Sequence, residues 1–232
     1  MNSNNQANQK YQSYQEWKGW HDLFNPSSQE KILFEKEFSS LDLSGKKFLD
    51  FGFGSGALLA WVKSKGSDVA GIEIQASLID AAAQMNIPTY TSIKHINNNT
   101  FDVISFFDVL EHLTKDEIQD LLKETYRIAK AGSTIIIRVP NCQSPAGLAN
   151  QFADPTHISM LSGPVVKAFL EDAHFQKIGV REAQLQPSSN PLNRVLRTLF
   201  KPLIYVFESI YRLTWSVRQT PLSANVIIVA NK

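Results

Sequence analysis

From Lys46 onward the chain repeats one pattern, a short apolar run, a turn and then a stretch of helical period. That alternation commits it to an α/β sheet. KKFLDFG is a first predicted strand ending in glycines, and ALLAWVKSKG reads as a helix closing at Gly66. SDVAGIEI is a second strand and SLIDAAAQM a second helix, with Ser77 as candidate N-cap. PTYTSI is a weak third strand and FDVISFF a fourth. KDEIQDLLKETYRIAK, apolar at i, i+3, i+4 and i+7, is a helix ended by Gly132. STIIIRVP is a fifth strand, a loop runs from Asn141 to Ser162, and PVVKAFLEDA is a helix with Pro164 near its start. FQKIGVRE and SANVIIVANK complete the expected fold, a doubly wound, seven-stranded, mostly parallel α/β sheet. Residues 1–10, rich in Asn and Gln, read as a disordered tail. Residues 11–45 read as an N-terminal helical cap, and 46–232 as the main domain with a helical insertion at about 191–219.

Composition narrows the function classes. Hydrophobic residues are 43% of the 232 and charged residues 19%, enough apolar material to exclude wholesale disorder. Lys+Arg is 23 against Asp+Glu 22, so no nucleic-acid partner is expected from overall charge. Cys142 is the single cysteine, which excludes an intramolecular disulfide and a cysteine-based zinc site. No histidine–carboxylate spacing resembles a metal site either, so no metal is expected. The opening MNSNNQANQK lacks the apolar stretch of a signal peptide, and no apolar run reaches spanning length. The expectation is a cytoplasmic protein.

The chemistry begins at Asp50. FLDFGFGSGALLAWV places Asp50, Gly52, Phe53, Gly54 and Gly56 at the carboxyl end of the first strand, the edge at which open α/β sheets bind ligands. Glu73 closes the second strand, where a carboxylate can accept hydrogen bonds from both hydroxyls of a ribose. Two cofactors fit. Gly52, Gly54 and Ala57 satisfy the nicotinamide fingerprint G-x-G-x-x-G/A. Asp50, however, suits a cationic ligand better than a pyrophosphate, and S-adenosylmethionine carries an ammonium, a sulfonium and no phosphate.

LDFGFGSG, the acidic GIEI, FDVISFFDVLEHL, YRIAKAGSTIIIRVPN and ADPTHISMLS, in that order, resemble the class I S-adenosylmethionine-dependent methyltransferases. The closest group is the small-molecule type with a D-V-L-E-H segment, similar to enzymes associated with surface-polysaccharide biosynthesis. The resemblance implies that Asp50, Gly52, Gly54 and Gly56 hold the methionyl part, with Phe53 beside them. It implies Glu73 on the ribose, Ile74 against adenine, and a backbone contact from Phe106. SIKHINNNT has no Asp or Glu where many relatives hold the adenine amine. The aromatic start YQSYQEWKGW resembles the cap helix of such enzymes, which adds Trp17 to the cofactor-binding set; for Trp17 and Trp20, core packing and a lid over the cofactor remain open.

Methyl transfer is an in-line displacement, so holding acceptor and methyl group in line supplies much of the rate. A hydroxyl acceptor benefits from a general base. His112, with Asp108 four residues earlier, and His157, near Asp154, are the candidates, and a loop-organising hydrogen bond is the alternative for each. The implied activity is methyl transfer to a small-molecule or glycan acceptor, at a hydroxyl oxygen. A nicotinamide-dependent oxidoreductase and a non-catalytic cofactor-binding module are the alternatives. The insertion carries Arg194, Arg197, Lys201, Arg212 and Arg218 against Glu208 alone, among Leu196, Leu199, Phe200, Leu203, Ile204, Phe207 and Ile210. Pro202 is expected to split it into a helix pair. Peripheral contact with an anionic (inner) membrane through 194–218 and an apolar face buried on the domain or in a homodimer are both open.

Overall fold

In the computed structural model of the chain the described residues are 18–185, 188, 190–215 and 221–232, without the side chains at 191, 194, 197, 212 and 215. The expected tail and Trp17 lie outside them. The elements run α1 (Ser28–Glu37), β1 (Lys47–Phe51), α2 (Ala57–Ser64), β2 (Asp68–Ile72), α3 (Ala76–Gln84), β3 (Thr89–Tyr90), β4 (Phe101–Phe107), α4 (Lys115–Ile128), β5 (Ala129–Pro140), α5 (Pro145–Ala153), α6 (Gly163–Asp172), β6 (Gln176–Glu182), α7 (Pro191–Trp215) and β7 (Asn225–Asn231). The seven strands form one sheet in the order β3-β2-β1-β4-β5-β7-β6. All pairings are parallel except those of β7, which is antiparallel to both β5 and β6. This is the expected doubly wound, mostly parallel sheet.

The apolar runs alternate between two buried faces. Leu49, Ile104, Phe106, Ile135, Ile137 and Ile228 pack on one side with Ile118 and Leu122 of α4 and Val166 and Leu170 of α6. Phe48, Val103, Ile136 and Ile227 pack on the other with Phe34 of α1, Leu59 and Val62 of α2 and Leu78 of α3. A parallel sheet covered on both faces needs this continuous apolarity. Two helix starts were written into the sequence as capping boxes, Ser27 with Glu30 before α1 and Thr114 with Glu117 before α4.

Four local expectations change. Ser77 does not cap α3; the helix opens one residue before it, because the Glu73 carboxylate accepts from the amides of Ile74 (2.7 Å) and Gln75 (3.2 Å). α4 ends at Ile128, not Gly132. Ala129 pairs with Phe101, Lys130 bonds Asp102 (2.7 Å), and Gly132 lies inside β5. The 141–162 loop contains α5, capped by Ser144, whose Oγ accepts from the Gly147 amide (2.9 Å), with Pro145 in its first turn. Pro202 sits within a single helix of 25 residues instead of dividing a pair, since its fixed φ is itself helical.

α1 is tied to the far edge of the sheet. Glu37 is buried, Arg181 of β6 donates to its carboxylate through Nη1 and to its carbonyl through Nη2 (2.7 Å), and the Gln184 amide donates to Oε1 (2.5 Å). Removing the guanidinium leaves a buried carboxylate short of its cation. Arg181→Met is expected to cost about 2 kcal/mol, below the full value for a buried pair because Arg181 is partly exposed. Chemical denaturation should show that loss with an unchanged m-value, and a thermal melt a fall of about 4–8 °C. Unchanged stability would mean that α1 is held by its apolar face alone.

Candidate functional site

A cleft of about 610 Å³ opens at the carboxyl ends of β1, β2 and β4. In the order β3-β2-β1-β4 the chain turns one way from β1 and then the other, and this reversal is where open α/β sheets make room for ligands. The floor is Asp50, Gly52, Phe53 and Gly54; one wall is Glu73, Ile74 and Gln75, with Thr91, Ser92 and Ile93 beyond. The opposite wall is Phe107, Asp108, Val109, His112 and Arg138, and Lys18, Trp20, Leu33 and Phe34 close it from the cap side.

Asp50 follows the two apolar strand residues Phe48 and Leu49 and pairs in register with Gly71 of β2 and Ser105 of β4, so its carboxylate lies between two strand ends. It is 3% exposed, and the buried Ser105 hydroxyl donates to Oδ1 at 2.5 Å. Burial pushes its pKa up to about 7, with the Glu73 carboxylate adding to the rise and Ser105 and Arg138 opposing it. Glu73 is nearly as buried and accepts from the Gly54 amide (3.3 Å) as well as from the start of α3. Ile74, by contrast, is half exposed at the cleft.

The glycines carry a steric demand. Gly54 has φ +49°, and a Cβ there would meet the Trp20 ring at 2.7 Å; Gly56 has φ +73°, and a Cβ would meet the Phe24 ring at 2.3 Å. The cap therefore lies on the glycine loop itself, joined to it by the Phe24 amide donating to the Ser55 carbonyl (2.8 Å). Gly56 is covered by Phe24 and does not line the cleft, which corrects its expected place on the ligand. The Phe106 side chain is fully buried, so only its backbone is left for the expected contact, and the strand-end side chain facing the cleft is that of Phe107.

The catalytic candidates are rearranged. Asp108, with φ +58°, is not beside His112 on a helix; only Leu110–His112 form one short 3₁₀ turn. Its carboxylate takes both prongs of the Arg138 guanidinium, Nε donating to Oδ1 at 2.9 Å and Nη2 to Oδ2. His112 does line the cleft. Its Nδ1 is 2.9 Å from Thr156 Oγ1, whose single proton goes to Asp154 (2.5 Å), so Nδ1–H is the donor in that contact. Burial, with His157 beside it, lowers the His112 pKa to about 4. His157 does not line the cleft but stands behind His112, ring centroids 4.7 Å apart, with Nδ1 at 3.1 Å from the Gln151 carbonyl. Asp154 is buried, yet the Thr156 hydrogen bonds and Lys18, 3.0 Å away, hold it well below the usual carboxylate range.

Two titrations oppose each other in pH. Asp50, raised to about 7, keeps its proton in the folded state where the unfolded chain has lost it, so its contribution to stability falls as pH rises from about 4 to 7. His112, lowered to about 4, stays neutral where the unfolded chain is protonated, so its contribution is lost as pH falls through 6.5 toward 4.

Sequence reasoning missed Arg138, Thr91 and Ser92 on the walls, and Glu111 beneath them. Arg138 was hidden in an apolar strand, STIIIRVP, where a lone cation is itself the signal.

Comparison with known proteins agrees with this geometry. The model of a family described as a methyltransferase domain matches residues 20–179, more than half of the chain. The ubiquinone biosynthesis O-methyltransferase of Azoarcus sp. (strain BH72) is 26% identical over 138 residues, 52% of this chain and 58% of that protein, so the match spans less than two thirds of the relative. A SAM-dependent methyltransferase structure from Archaeoglobus fulgidus superposes with a TM-score of 0.67 at 24% identity, over 89% of this chain and 95% of that one. The Burkholderia thailandensis 1,6-didemethyltoxoflavin-N1-methyltransferase, solved with its substrate and S-adenosylhomocysteine, gives a TM-score of 0.61 at 13% identity over 97% and 85%. A matched family model over the cleft-bearing sheet, on a fold shared with those structures, leaves one conclusion: the chain belongs to the class I S-adenosylmethionine-dependent methyltransferases.

Proposed function

We propose that the cleft binds S-adenosylmethionine with its cationic methionyl end at Asp50 and transfers the methyl group to a hydroxyl oxygen of a small-molecule or glycan acceptor. The observation carrying this reading is the buried Asp50 carboxylate, which has a serine hydroxyl beside it and whose pKa lies near 7. An ammonium or sulfonium placed there offsets the cost of ionising Asp50, whereas a pyrophosphate would raise it. Bound in the cleft, the cofactor supplies a methyl group on a positively charged sulfur.

The chain's residues divide the remaining work. Glu73 accepts from ribose hydroxyls, and Ile74, apolar and half exposed, packs on the adenine. Thr91 and Ser92 offer hydroxyls on the far wall. Gly52 and Gly54 leave the room that Val109 and Trp20 take against the loop, and Phe53 packs under it, its ring filling the space a Cβ on Gly71 would take. Trp20 closes the loop side and keeps water out. His112 stands at the acceptor end, with the Asp108–Arg138 pair and His157 as positioning residues. A histidine with a pKa near 4 is a weak base, so alignment carries more of the rate than proton removal. The hydroxyl acceptor is supported by the O-methyl transfer in the name of the ubiquinone biosynthesis relative.

The second part of the reading concerns α7. Among the described residues no helix is long and apolar enough to cross a membrane. Leu192, Leu196, Leu199, Leu203, Val206, Ile210 and Leu213 recur at spacings of three and four and are all exposed. We propose that this stripe lies on an anionic membrane surface, because the rest of the helix carries Lys201 and further basic residues against one acid. A lipid-linked glycan would be met at such a surface.

Two experiments test the proposal. In calorimetric titrations S-adenosylhomocysteine should bind and NADH should not, and its affinity should weaken below about pH 7, by up to tenfold per pH unit, because binding then requires Asp50 to release a proton. Asp50→Asn should abolish that dependence. Binding of NADH alone, or a flat profile in the wild type, would contradict it. Vesicles containing phosphatidylglycerol should sediment the protein, phosphatidylcholine vesicles should not, and Leu199→Glu with Leu203→Glu should release it. A stable dimer without vesicle binding would assign the stripe to self-association instead.

A further inference from the structure

The segment after β4 and the loop after α5 are laced together behind the cleft wall. The amides of Ile158 and Ser159 donate to the Glu111 carbonyl at 2.8 and 3.0 Å, and the Ser159 hydroxyl donates to the Leu113 carbonyl at 2.5 Å. This stitching faces Glu111 and His112 toward His157. One ligand atom from each of the three lies within 4.8 Å of the others. The Glu111 side chain is fully buried, and neither carboxylate oxygen has a hydrogen-bond partner among the described residues. A buried, unsatisfied carboxylate is costly unless a counter-charge meets it.

Both imidazoles are oriented by their other nitrogen. His112 Nδ1–H donates to Thr156 Oγ1, and His157 Nδ1 lies 3.1 Å from the Gln151 carbonyl, an oxygen that can only accept. In this tautomer each Nε2 carries the lone pair. His157 Nε2 is 3.9 Å from Glu111 Oε1 and 3.7 Å from Asp154 Oδ2. A backbone carbonyl or hydroxyl behind a histidine is the support that metal-ligating imidazoles use. With Asp108 paired to Arg138 and Asp154 to Lys18, Glu111 is the carboxyl group at the centre to which neither Arg138 nor Lys18 is bonded.

We propose that Glu111, His112 and His157 bind one divalent transition cation of the zinc class behind the acceptor end of the cleft. Two imidazole nitrogens and one carboxylate oxygen are a zinc-type donor set with room for a further ligand, and too nitrogen-rich for magnesium. Ligand atoms around zinc stand about 3.3 Å apart, so binding must draw together a trio now separated by 3.9 Å between His157 Nε2 and Glu111 Oε1 and by no more than 4.8 Å overall. The sequence concealed the site because Glu111 and His112 are neighbours while His157 is remote, and the hydrogen bonds of residues 156–159 to Glu111, His112 and Leu113 bring them together. Since His112 also lines the cleft, the cation would fix the position of that part of the wall. That role rests on the methyl-transfer reading; the binding does not.

The test uses the metal alone on the full chain stripped with chelator. Equilibrium dialysis against zinc, followed by metal analysis, should find one tight equivalent per chain, and cobalt should give visible ligand-field bands typical of four- or five-coordination. His157→Gln and Glu111→Gln should each weaken zinc binding at least tenfold while the metal-free proteins still show a cooperative melt. Equal retention of zinc in wild type and both variants would assign binding to histidines such as His21, His95 or His174 and overturn the site. Competition by magnesium at similar concentration would overturn the donor assignment. Should a variant fail to fold, the wild-type cobalt spectrum decides, and its absence refutes the proposal. S-adenosylhomocysteine binding measured in parallel separates failure of this site from failure of the cofactor reading.

Discussion

The structure depends on one carboxylate that water does not reach. Asp50 lies one residue before the end of the interior strand β1, is flanked in register by β2 and β4, and is 3% exposed. An ionised group there lacks solvent, and the Ser105 hydroxyl compensates only in part, so the pKa climbs to about 7. In the proposed reading, a cationic sulfonium cofactor beside Asp50 would supply the counter-charge that burial denies this carboxylate. Glu73, at the end of β2, accepts from the Ile74 and Gln75 amides just ahead of α3.

Around that carboxylate the cap and the sheet are coupled. Trp20 and Phe24 occupy space that only glycine leaves at Gly54 and Gly56, and Arg181 holds α1 by Glu37 from the opposite edge of the sheet. The cap is thus part of the cofactor cleft's wall. Motion of the N-terminal segment would change the cleft directly, which connects folding of residues remote in sequence to the affinity of the site.

The fold was legible because each strand announces itself twice, by an apolar run and by the helix that follows. Asp50, Gly52, Phe53, Gly54, Glu73, Ile74, Asp108 and His112 were legible as cleft residues because they sit at strand ends, where topology alone places them at the ligand edge. What sequence could not supply were pairings between remote loops. Asp108 was matched to His112 by helical spacing, but a positive φ turns it to Arg138 instead. His157 was put at the cleft because its loop belongs there, yet the loop folds back through Glu111 and hides the ring. Gly56 was placed on the ligand by motif, because motif spacing says nothing of the Phe24 ring that covers it. The Pro202 reading failed in the other direction, where a local rule was stricter than the helix it was applied to.

The most direct measurement is a carbon-13 NMR titration of the Asp50 carboxyl, assigned by comparison with Asp50→Asn, in the free protein and in the presence of saturating S-adenosylhomocysteine. The account predicts a midpoint near 7 in the free protein and a fall back toward the ordinary carboxylate range once the ligand's ammonium is seated beside it. A midpoint that starts in the ordinary range, or that does not move on saturation, would contradict the claim that Asp50 is the cationic anchor of the cleft.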